Sequence, residues 1–278
     1  MIQAQARAKI NWALNITGRR SDGYHLLDMV MQSIELHDTM TFEDADAIAL
    51  IVDGDIPAEP EKNLVHRAAT ALNRRAGTRR GARITLEKRI PARAGLGGGS
   101  ADCALTLRAL NRLWDLKLSD AALSEIGAGL GADVPFCLAG GLARVGGIGE
   151  RVEPVSPAPR IPLVLVTPGG GLSTAEVFGR WDAGGYPPVA LDSRALADAV
   201  SRGDLDAIDR LNRNALTAPA VDLMPEIGRL MRDLRGMGAR AAFMTGSGST
   251  VVGVFDAMDA ARRAAGRFEN AVVTRTTG

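Results

Sequence analysis

The feature that most constrains this chain is a glycine cluster that runs directly into an apolar, helix-forming segment. Four of the five residues from 95 to 99 are glycine, and residues 101–113 follow with the composition of a helix. Serial glycines lose backbone entropy on folding and add no packing. They do let the backbone approach an anion with several N–H groups, to which the helix adds its positive end. The cluster therefore predicts a phosphate-binding loop, with a ligand-free, glycine-rich helix entry as the plain alternative.

This loop does not match the two commonest phosphate-binding motifs. A Walker A loop needs a lysine directly before its final serine or threonine, and a dinucleotide fingerprint needs a third glycine at the position of Ser100. Here Gly99 directly precedes Ser100, so both motifs are disfavoured. A hydroxyl at the start of a helix is also typical of an N-cap. Ser100 is therefore expected to cap the helix, to contact phosphate, or to do both.

Hydrophobic periodicity along the chain predicts a mixture of strands and helices. Strands are expected at residues 4–13, 30–36, 40–43, 48–52, 82–88, 163–167, 241–244, 251–255 and 271–275. Helices are expected at residues 64–72, 101–113, 119–130, 224–234 and 257–268. Ser119 is the expected N-cap of the third helix. Antiparallel strands with helices gathered on one side predict an α+β fold.

A proline-rich stretch marks the expected domain boundary. Pro154, Pro157, Pro159 and Pro162 fall within nine residues, a pattern typical of a connection. We predict one domain over residues 1–155, which carries the glycine loop, and a second over residues 156–278. The elements of the second domain come close to the βαββαβ order of a ferredoxin-like domain. The active cleft is expected between the two.

The charge balance argues against a protein built to hold nucleic acid by its phosphate backbone. Thirty-three Lys and Arg residues face 32 Asp and Glu residues, which gives a formal net charge of +1. Basic residues ahead of the glycine loop are expected to form mainly a solvated face, or to steer an anionic substrate. These residues are Arg74, Arg75, Arg79, Arg80, Arg83, Lys88, Arg89 and Arg93.

The cysteines and the N-terminus indicate the compartment. Cys103 and Cys137 stand singly in apolar surroundings, so neither a zinc site nor a disulfide framework is expected. Residues 1–7 lack the apolar core of a signal peptide, and no run of about 18 apolar residues occurs. We expect a cytoplasmic enzyme with a small-molecule substrate, without nucleic-acid or membrane partners, as a monomer or weak homodimer.

Four segments together resemble one enzyme family, in the same order along the chain. They are residues 8–14 (AKINWAL), 18–27 (GRRSDGYHLL), the loop 91–100 joined by 131–136 (GADVPF), and 244–250 (MTGSGST). Together they resemble the GHMP small-molecule kinases, and residues 22–25 resemble the branch that acts on a cytidine diphosphate-linked methylerythritol. The resemblance covers nearly the whole chain. It implies a two-domain GHMP kinase fold, with a ribosomal-protein-S5-like N-terminal domain and a ferredoxin-like C-terminal domain.

The resemblance also implies a reaction. It is the ATP-dependent phosphorylation of the 2-hydroxyl of 4-diphosphocytidyl-2-C-methyl-D-erythritol, in the non-mevalonate pathway to isoprenoid precursors, with ATP and Mg²⁺. Asp133 is expected to take the proton of the substrate hydroxyl or to orient it, while Lys9 keeps Asp133 ionised and favours the developing alkoxide. Taken alone, Asp133 would be read as a turn residue and Lys9 as an exposed strand lysine.

The binding residues follow from the same resemblance. Those expected to bind ATP are Pro91, Gly95, Leu96, Gly97, Gly98, Gly99 and Ser100, with Ser100 also near the Mg²⁺ that accompanies ATP. Those expected to bind the substrate are Asn11, Tyr24, His25, Phe178, Gly246, Ser247 and Gly248. Tyr24 and Phe178 would stack on opposite faces of the cytosine, and His25 would bind its edge. The plain alternatives are local packing at residues 24–25 and a simple hairpin turn at residues 246–248.

Two other readings stay open at this point. The chain could be a different GHMP member, such as a homoserine or mevalonate kinase or the related diphosphate decarboxylase, but residues 22–25 argue against these. It could also be a nucleotide-binding regulator that has lost catalysis, yet both Lys9 and Asp133 are present. Turnover on a panel of alcohols separates an enzyme from a regulator.

Overall fold

A computed structural model describes residues 1–53, 60–187 and 189–278, and within them it shows strands in two sheets with helices around them. The strands are β1 (Ile2–Arg19), β2 (His25–Ala45), β3 (Ile48–Asp53), β4 (Gly81–Glu87), β5 (Leu142–Gly147), β6 (Arg151–Val155), β7 (Pro162–Val166), β8 (Ala241–Met244), β9 (Val251–Val254) and β10 (Ala271–Arg275). The helices are α1 (Leu64–Ala76), α2 (Gly98–Leu113), α3 (Asp120–Ala128), α4 (Val134–Ala139), α5 (Thr174–Asp182), α6 (Ser193–Arg202), α7 (Leu205–Leu211), α8 (Thr217–Leu223), α9 (Glu226–Gly236) and α10 (Met258–Ala265).

The first sheet is built around two long antiparallel strands, β1 and β2. Its order is β3-β4-β2-β5-β6, with β1 paired to β2, and β3 runs parallel to β4. The prediction of two separate strands at residues 30–36 and 40–43 was wrong, because β2 continues through both. One half of β2 pairs with β5 and the other half with β4, so different neighbours support a strand that its polar middle would otherwise interrupt.

The second sheet has the order β10-β7-β9-β8, with each neighbouring pair antiparallel. This order confirms the predicted ferredoxin-like arrangement, with helices α5 to α9 inserted between β7 and β8 where the simplest version has one helix. The strand predicted at residues 271–275 coincides with β10. We keep the division between residues 155 and 156 as a proposal, supported by the change of sheet between β6 and β7.

Helix α2 starts at the glycine cluster itself. Its N-cap is Gly97, whose φ of 69° lies in the left-handed region that favours glycine. Ser100 therefore does not cap the helix and lies within its first turn, so the N-cap interpretation of Ser100 was wrong. The N-cap prediction for Ser119 is confirmed, since its side chain accepts the N–H of Ala122 at 3.2 Å.

The middle of β1 is buried on both faces, which makes it the centre of the molecule. Residues 8–13 are all buried. Because side chains alternate along a strand, Ile10 and Trp12 point to one face, where they share a core with the second sheet and Trp12 lies 5.5 Å from the ring of Phe243. Lys9 and Asn11 therefore point to the other face, towards the glycine cluster. None of the described helices is both long and apolar enough to cross a membrane.

Candidate active site

A cavity of about 550 Å³ lies where β1, the glycine cluster, the start of α4, α5 and the β8–β9 loop meet, so both sheets contribute to its wall. The predicted site residues that line it are Lys9, Asn11, Pro91, Gly95, Leu96, Gly97, Gly98, Gly99, Ser100, Asp133, Phe178, Gly246 and Ser247. Tyr24, His25 and Gly248 do not line it. The structure thus brings together residues that are up to 238 positions apart in the sequence.

Lys9 stands at the centre of this cavity with its ammonium group fully bonded. Its Nζ donates to Asn11 Oδ1 at 2.7 Å and to the Gly95 carbonyl at 3.1 Å, and it lies 3.2 Å from Asp133 Oδ2. An ammonium has three donors, so these three oxygens satisfy it. The residue is only 4% exposed. The plain reading of Lys9 as an exposed strand lysine was therefore wrong.

Asp133 precedes α4, and its side chain does not bond to that helix. It occupies the N-cap position, but its side chain accepts no capping hydrogen bond. Its carboxylate, 29% exposed, reaches Lys9 and lines the cavity instead. Asp133 is thus a partly exposed acidic group beside a buried cation.

The glycine cluster packs against the β8–β9 loop, backbone against backbone. A Cβ at Gly95 would lie 2.5 Å from the carbonyl oxygen of Thr245 and 2.9 Å from that of Gly248, so no other residue fits there. The backbone N–H of Thr250 donates to the Ala94 carbonyl at 3.3 Å. The turn around Gly246 and Gly248 does join two antiparallel strands, as the plain reading expected. It also forms part of the cavity wall through Gly246 and Ser247.

Glycine at positions 97 and 98 allows the close approach of neighbouring side chains. A Cβ at Gly97 would lie 2.9 Å from both Cγ and Cε of Lys9, and one at Gly98 would lie 3.0 Å from Ile90 Cγ2 and 3.3 Å from Lys88 Nζ. The cluster therefore does more than leave room for a ligand. It also leaves room for Lys9 to pass the start of α2.

A buried ionic cluster beside the glycine loop was missed by the sequence analysis. Lys88 lies between two carboxylates, contacting Asp38 and, at 2.9 Å, Asp102. Both acids are nearly inaccessible, and Lys88 and Asp102 line the cavity. The assignment of Lys88 to a solvated face was wrong, whereas the arginines grouped with it are exposed as expected. The available clue was an acidic residue inside the apolar stretch of α2, since buried acids need partners.

Burial raises the pKa of Asp102 to about 7, because Lys88 offsets only part of the desolvation and the neighbouring Asp38 adds repulsion. Asp38 uses its other oxygen to accept the backbone N–H groups of Arg89 and Ile90, at 2.5 and 2.8 Å. Asp102 Oδ1 is buried without a hydrogen-bond partner among the described residues. Lys88 thus pairs with two acids and links β2 and the segment before the glycine loop to α2.

Of the three residues predicted to hold the cytosine, Phe178 lines the cavity, whereas Tyr24 and His25 lie outside its lining. Phe178 lies against His25, with their ring centroids 4.7 Å apart and the planes 28° from parallel. Tyr24 is 61% exposed. The structure thus brings His25 and Phe178 together and leaves the Tyr24 ring in solvent. Stacking of a base by Tyr24 and Phe178 stays a prediction.

Both halves of the chain match models of one protein family. Residues 63–141 match the GHMP kinases N terminal domain, and residues 196–272 match the GHMP kinases C terminal. The first match contains the glycine cluster and Asp133, and the second contains the β8–β9 loop. The two matched regions thus hold the opposite walls of the cavity.

Curated relatives and solved structures agree with this match over the full chain. A 4-diphosphocytidyl-2-C-methyl-D-erythritol kinase of Pelotomaculum thermopropionicum is 47% identical, with 99% of this chain and 98% of that protein covered. The corresponding kinase of Moorella thermoacetica is 44% identical over 98% and 97%. A crystal structure of 4-(cytidine 5'-diphospho)-2C-methyl-D-erythritol kinase covers all of both chains at 35% identity with a TM-score of 0.84. A homoserine kinase from Cytophaga hutchinsonii, at 17% identity and a TM-score of 0.72 over 98% and 94%, shares the fold.

Proposed function

This chain belongs to the GHMP kinase family and, within it, to the 4-diphosphocytidyl-2-C-methyl-D-erythritol kinases, and we propose that it phosphorylates the 2-hydroxyl of that cytidine diphosphate-linked alcohol with ATP. The observation that carries the proposal is the contact of Lys9 with Asp133 at 3.2 Å inside the cavity, directly beside the glycine cluster. This product would enter the non-mevalonate pathway to isoprenoid precursors.

The glycine cluster is the proposed cradle for the ATP phosphates. Gly97 caps α2 without a side chain, so the free N–H groups of the first turn and the positive end of a 16-residue helix face the cavity. Pro91, Gly95 and Leu96 line the same wall, as do Gly98 and Gly99. These features fit an anionic group such as a triphosphate.

We further propose that Mg²⁺ is held mainly by the nucleotide. No group of three or more His, Cys, Asp or Glu side chains among the described residues could hold a metal ion. Mg²⁺ commonly keeps several waters and binds through substrate phosphates plus one or two protein oxygens. Ser100, in the first turn of α2, is the proposed protein oxygen. When bound, Mg·ATP would supply the electrophilic phosphoryl group and neutralise its charge.

Asp133 and Lys9 are the proposed catalytic pair. Phosphoryl transfer to an alcohol requires an oriented hydroxyl and an acceptor for its proton. The Asp133 carboxylate lines the cavity and is free of its helix, so it can orient the hydroxyl and take the proton. Lys9 lies beside this carboxylate and would stabilise negative charge on the reacting oxygen. The Lys9 ammonium already has three partners. Contact with the reacting oxygen would therefore replace its contact with the uncharged oxygen of Asn11 or of Gly95.

The acceptor substrate is proposed to extend from Asp133 to the His25 end of the site. Asn11, Gly246, Ser247 and Gly248 would contact its middle part. Ser247 is 8% exposed, and its hydroxyl is hydrogen-bonded at 2.9 Å to that of Thr174, at the start of α5. This bond links the β8–β9 loop to the helix that carries Phe178. At the far end, His25 would bind the edge of the cytosine.

Purified protein incubated with Mg·ATP and single acceptors tests the proposal. We expect ADP release and a singly phosphorylated product with 4-diphosphocytidyl-2-C-methyl-D-erythritol, and little turnover with homoserine or mevalonate. Mass spectrometry and phosphorus NMR would place the new phosphate on the 2-oxygen. Efficient turnover of homoserine or mevalonate would move the chain to another branch, and no turnover of any alcohol would favour a regulator. A monomer or weak homodimer and a cytoplasmic location stay proposals beside this one.

A further inference from the structure

One face of helix α5 surrounds a single side chain of the first sheet. Phe178, Trp181 and Asp182 are spaced i, i+3 and i+4, so they share a helix face. All three contact His25. Phe178 stacks on its ring, and Trp181 packs edge-on with the two ring centroids 5.7 Å apart. Asp182 Oδ1 lies 2.8 Å from its Nε2. Helix α5, from the other half of the chain, therefore fixes both the plane and the rotation of the His25 ring.

The carboxylate in this group has a defined chemical effect on the imidazole. An ionised carboxylate can only accept hydrogen bonds, so the Nε2 that faces Asp182 must carry a proton. The side chain of Asp182 is 27% exposed, and Arg19 lies 3.5 Å from its other oxygen. In the neutral imidazole the remaining nitrogen, Nδ1, is then an acceptor. Among the described residues no hydrogen bond to Nδ1 is seen.

Cytosine and uracil differ at the position with which such an acceptor would form a hydrogen bond. Cytosine presents an amino group, a donor, where uracil presents a carbonyl oxygen, an acceptor. An acceptor nitrogen bonds to the first and repels the second. A Nδ1 that carried the proton would favour uracil instead. The choice of base therefore depends on which ring nitrogen of His25 holds the proton.

We propose that Asp182 is a positioning residue that fixes the proton of His25 on Nε2, so that Nδ1 accepts the amino group of cytosine and the enzyme rejects uridine substrates. This inference rests on the proposed function, in which His25 faces the base. Asp182 itself touches neither the base nor the reacting atoms. Its place at the last residue of α5 is unfavourable for an acid with respect to the helix dipole, and the His25 and Arg19 contacts offset this cost.

The test compares wild type with Asp182→Asn and Asp182→Glu on the cytidine substrate and its uridine counterpart. Assays are run at about pH 8.5, about two pH units above the usual pKa of a histidine side chain. An amide can donate as well as accept, so Asp182→Asn no longer selects a tautomer. We expect it to reduce kcat/KM for the cytidine substrate about tenfold, mainly through KM, and the preference for cytidine over uridine about tenfold. Asp182→Glu should restore most of both.

A matched control is available at an ion pair between α5 and α8. Asp222 of α8 pairs with Arg180 of α5 at 3.2 Å and accepts the Tyr186 hydroxyl at 2.6 Å, so Asp222→Asn removes a carboxylate that contacts the same helix away from His25. We expect its base preference to equal that of wild type. Nitrogen-15 NMR of histidine-labelled protein, assigned with His25→Gln, reports directly which ring nitrogen is protonated. A wild-type proton on Nε2 that becomes distributed in Asp182→Asn supports the proposal.

Two results would overturn the inference by itself, namely an unchanged base preference in Asp182→Asn or a wild-type proton on Nδ1. A wild-type protein with no turnover of the cytidine substrate would instead refute the proposed function, and the base-reading role of His25 with it. Thermal melts of each variant show whether a loss of preference accompanies a loss of folding.

Discussion

Adding one methyl group at Gly97 tests whether the glycine cluster makes room for Lys9. Two costs are expected for Gly97→Ala. The first is conformational, because φ is 69° and an L residue loses about 1–2 kcal/mol in the left-handed region. The second is steric, because the new Cβ would lie 2.9 Å from Cγ and Cε of Lys9, whereas carbon atoms pack best at about 3.5–4.0 Å.

The steric conflict involves Lys9, which we propose to be catalytic. Lys9 is buried and bonded to Asn11, Gly95 and Asp133, so it cannot retreat without weakening one of these contacts. A hydrogen bond to a charged group contributes about 1.5–3 kcal/mol. Misplacing a reacting group by about 1 Å can cost on the order of a hundredfold in rate. We therefore expect Gly97→Ala to lower kcat by about tenfold to a hundredfold.

The chain contains a matched control at the end of α1. Gly77 has a φ of 67° and nothing within 4 Å of its would-be Cβ, so Gly77→Ala carries the conformational cost alone. In urea denaturation, Gly97→Ala should be less stable than Gly77→Ala by about 1–3 kcal/mol, the value of the disturbed Lys9 contact. In steady-state assays of ADP release, only Gly97→Ala should lose kcat. Equal kcat in the two folded variants would refute this reasoning.

Three further predictions concern the same site. Lys9→Ala and Asp133→Ala should each lower kcat at least about a hundredfold with calorimetric ATP affinity retained, and near-normal turnover in either would remove that residue from the catalytic pair. Gly98→Val should weaken ATP binding about tenfold or more, because its side chain meets Ile90 at 3.0 Å and intrudes at the start of α2; unchanged affinity in a folded variant would contradict the phosphate cradle. Burial raises the pKa of Asp102 from 3.8 to about 7. Between these pH values the folded state therefore retains a proton that the unfolded state releases. The free energy of unfolding should fall as pH rises through this range and level off above it. Asp102→Asn should remove this part of the slope in urea titrations, and an identical slope would show that Asp102 is not its source.

Elements set by neighbouring residues were predictable in both halves of the chain, whereas the ranges of helices α5 to α8 were not predicted. The strand at residues 271–275 and the N-cap at Ser119 were predicted from alternation and from capping chemistry, which depend on neighbouring residues. The glycine cluster likewise predicted a loop that opens a helix. The prediction was less accurate where distant strands decide the outcome, as in β2, whose continuous length depends on pairing with β1, β4 and β5.

The ionic cluster of Lys88 shows the limit of sequence patterns at the site. In sequence, Lys88 belongs to a basic run, and nothing local distinguishes it from the arginines around it. Its partners, Asp38 and Asp102, are 50 positions before it and 14 after it. Only the packing of α2 against the first sheet brings the two acids to one lysine.

The sequence by itself determined the family and pointed to the proposed phosphate loop and the proposed catalytic pair, because these reside in short segments whose residue types carry the chemistry. The tertiary structure decided which side chains meet. Register shifts in β1 beside Lys9 and Asn11 accompany their turn towards the glycine cluster, and helix α5 brings Asp182 to His25. Such contacts join residues 86 and 157 positions apart, and their geometry is fixed by sheet pairing and helix packing rather than by any local preference of the chain.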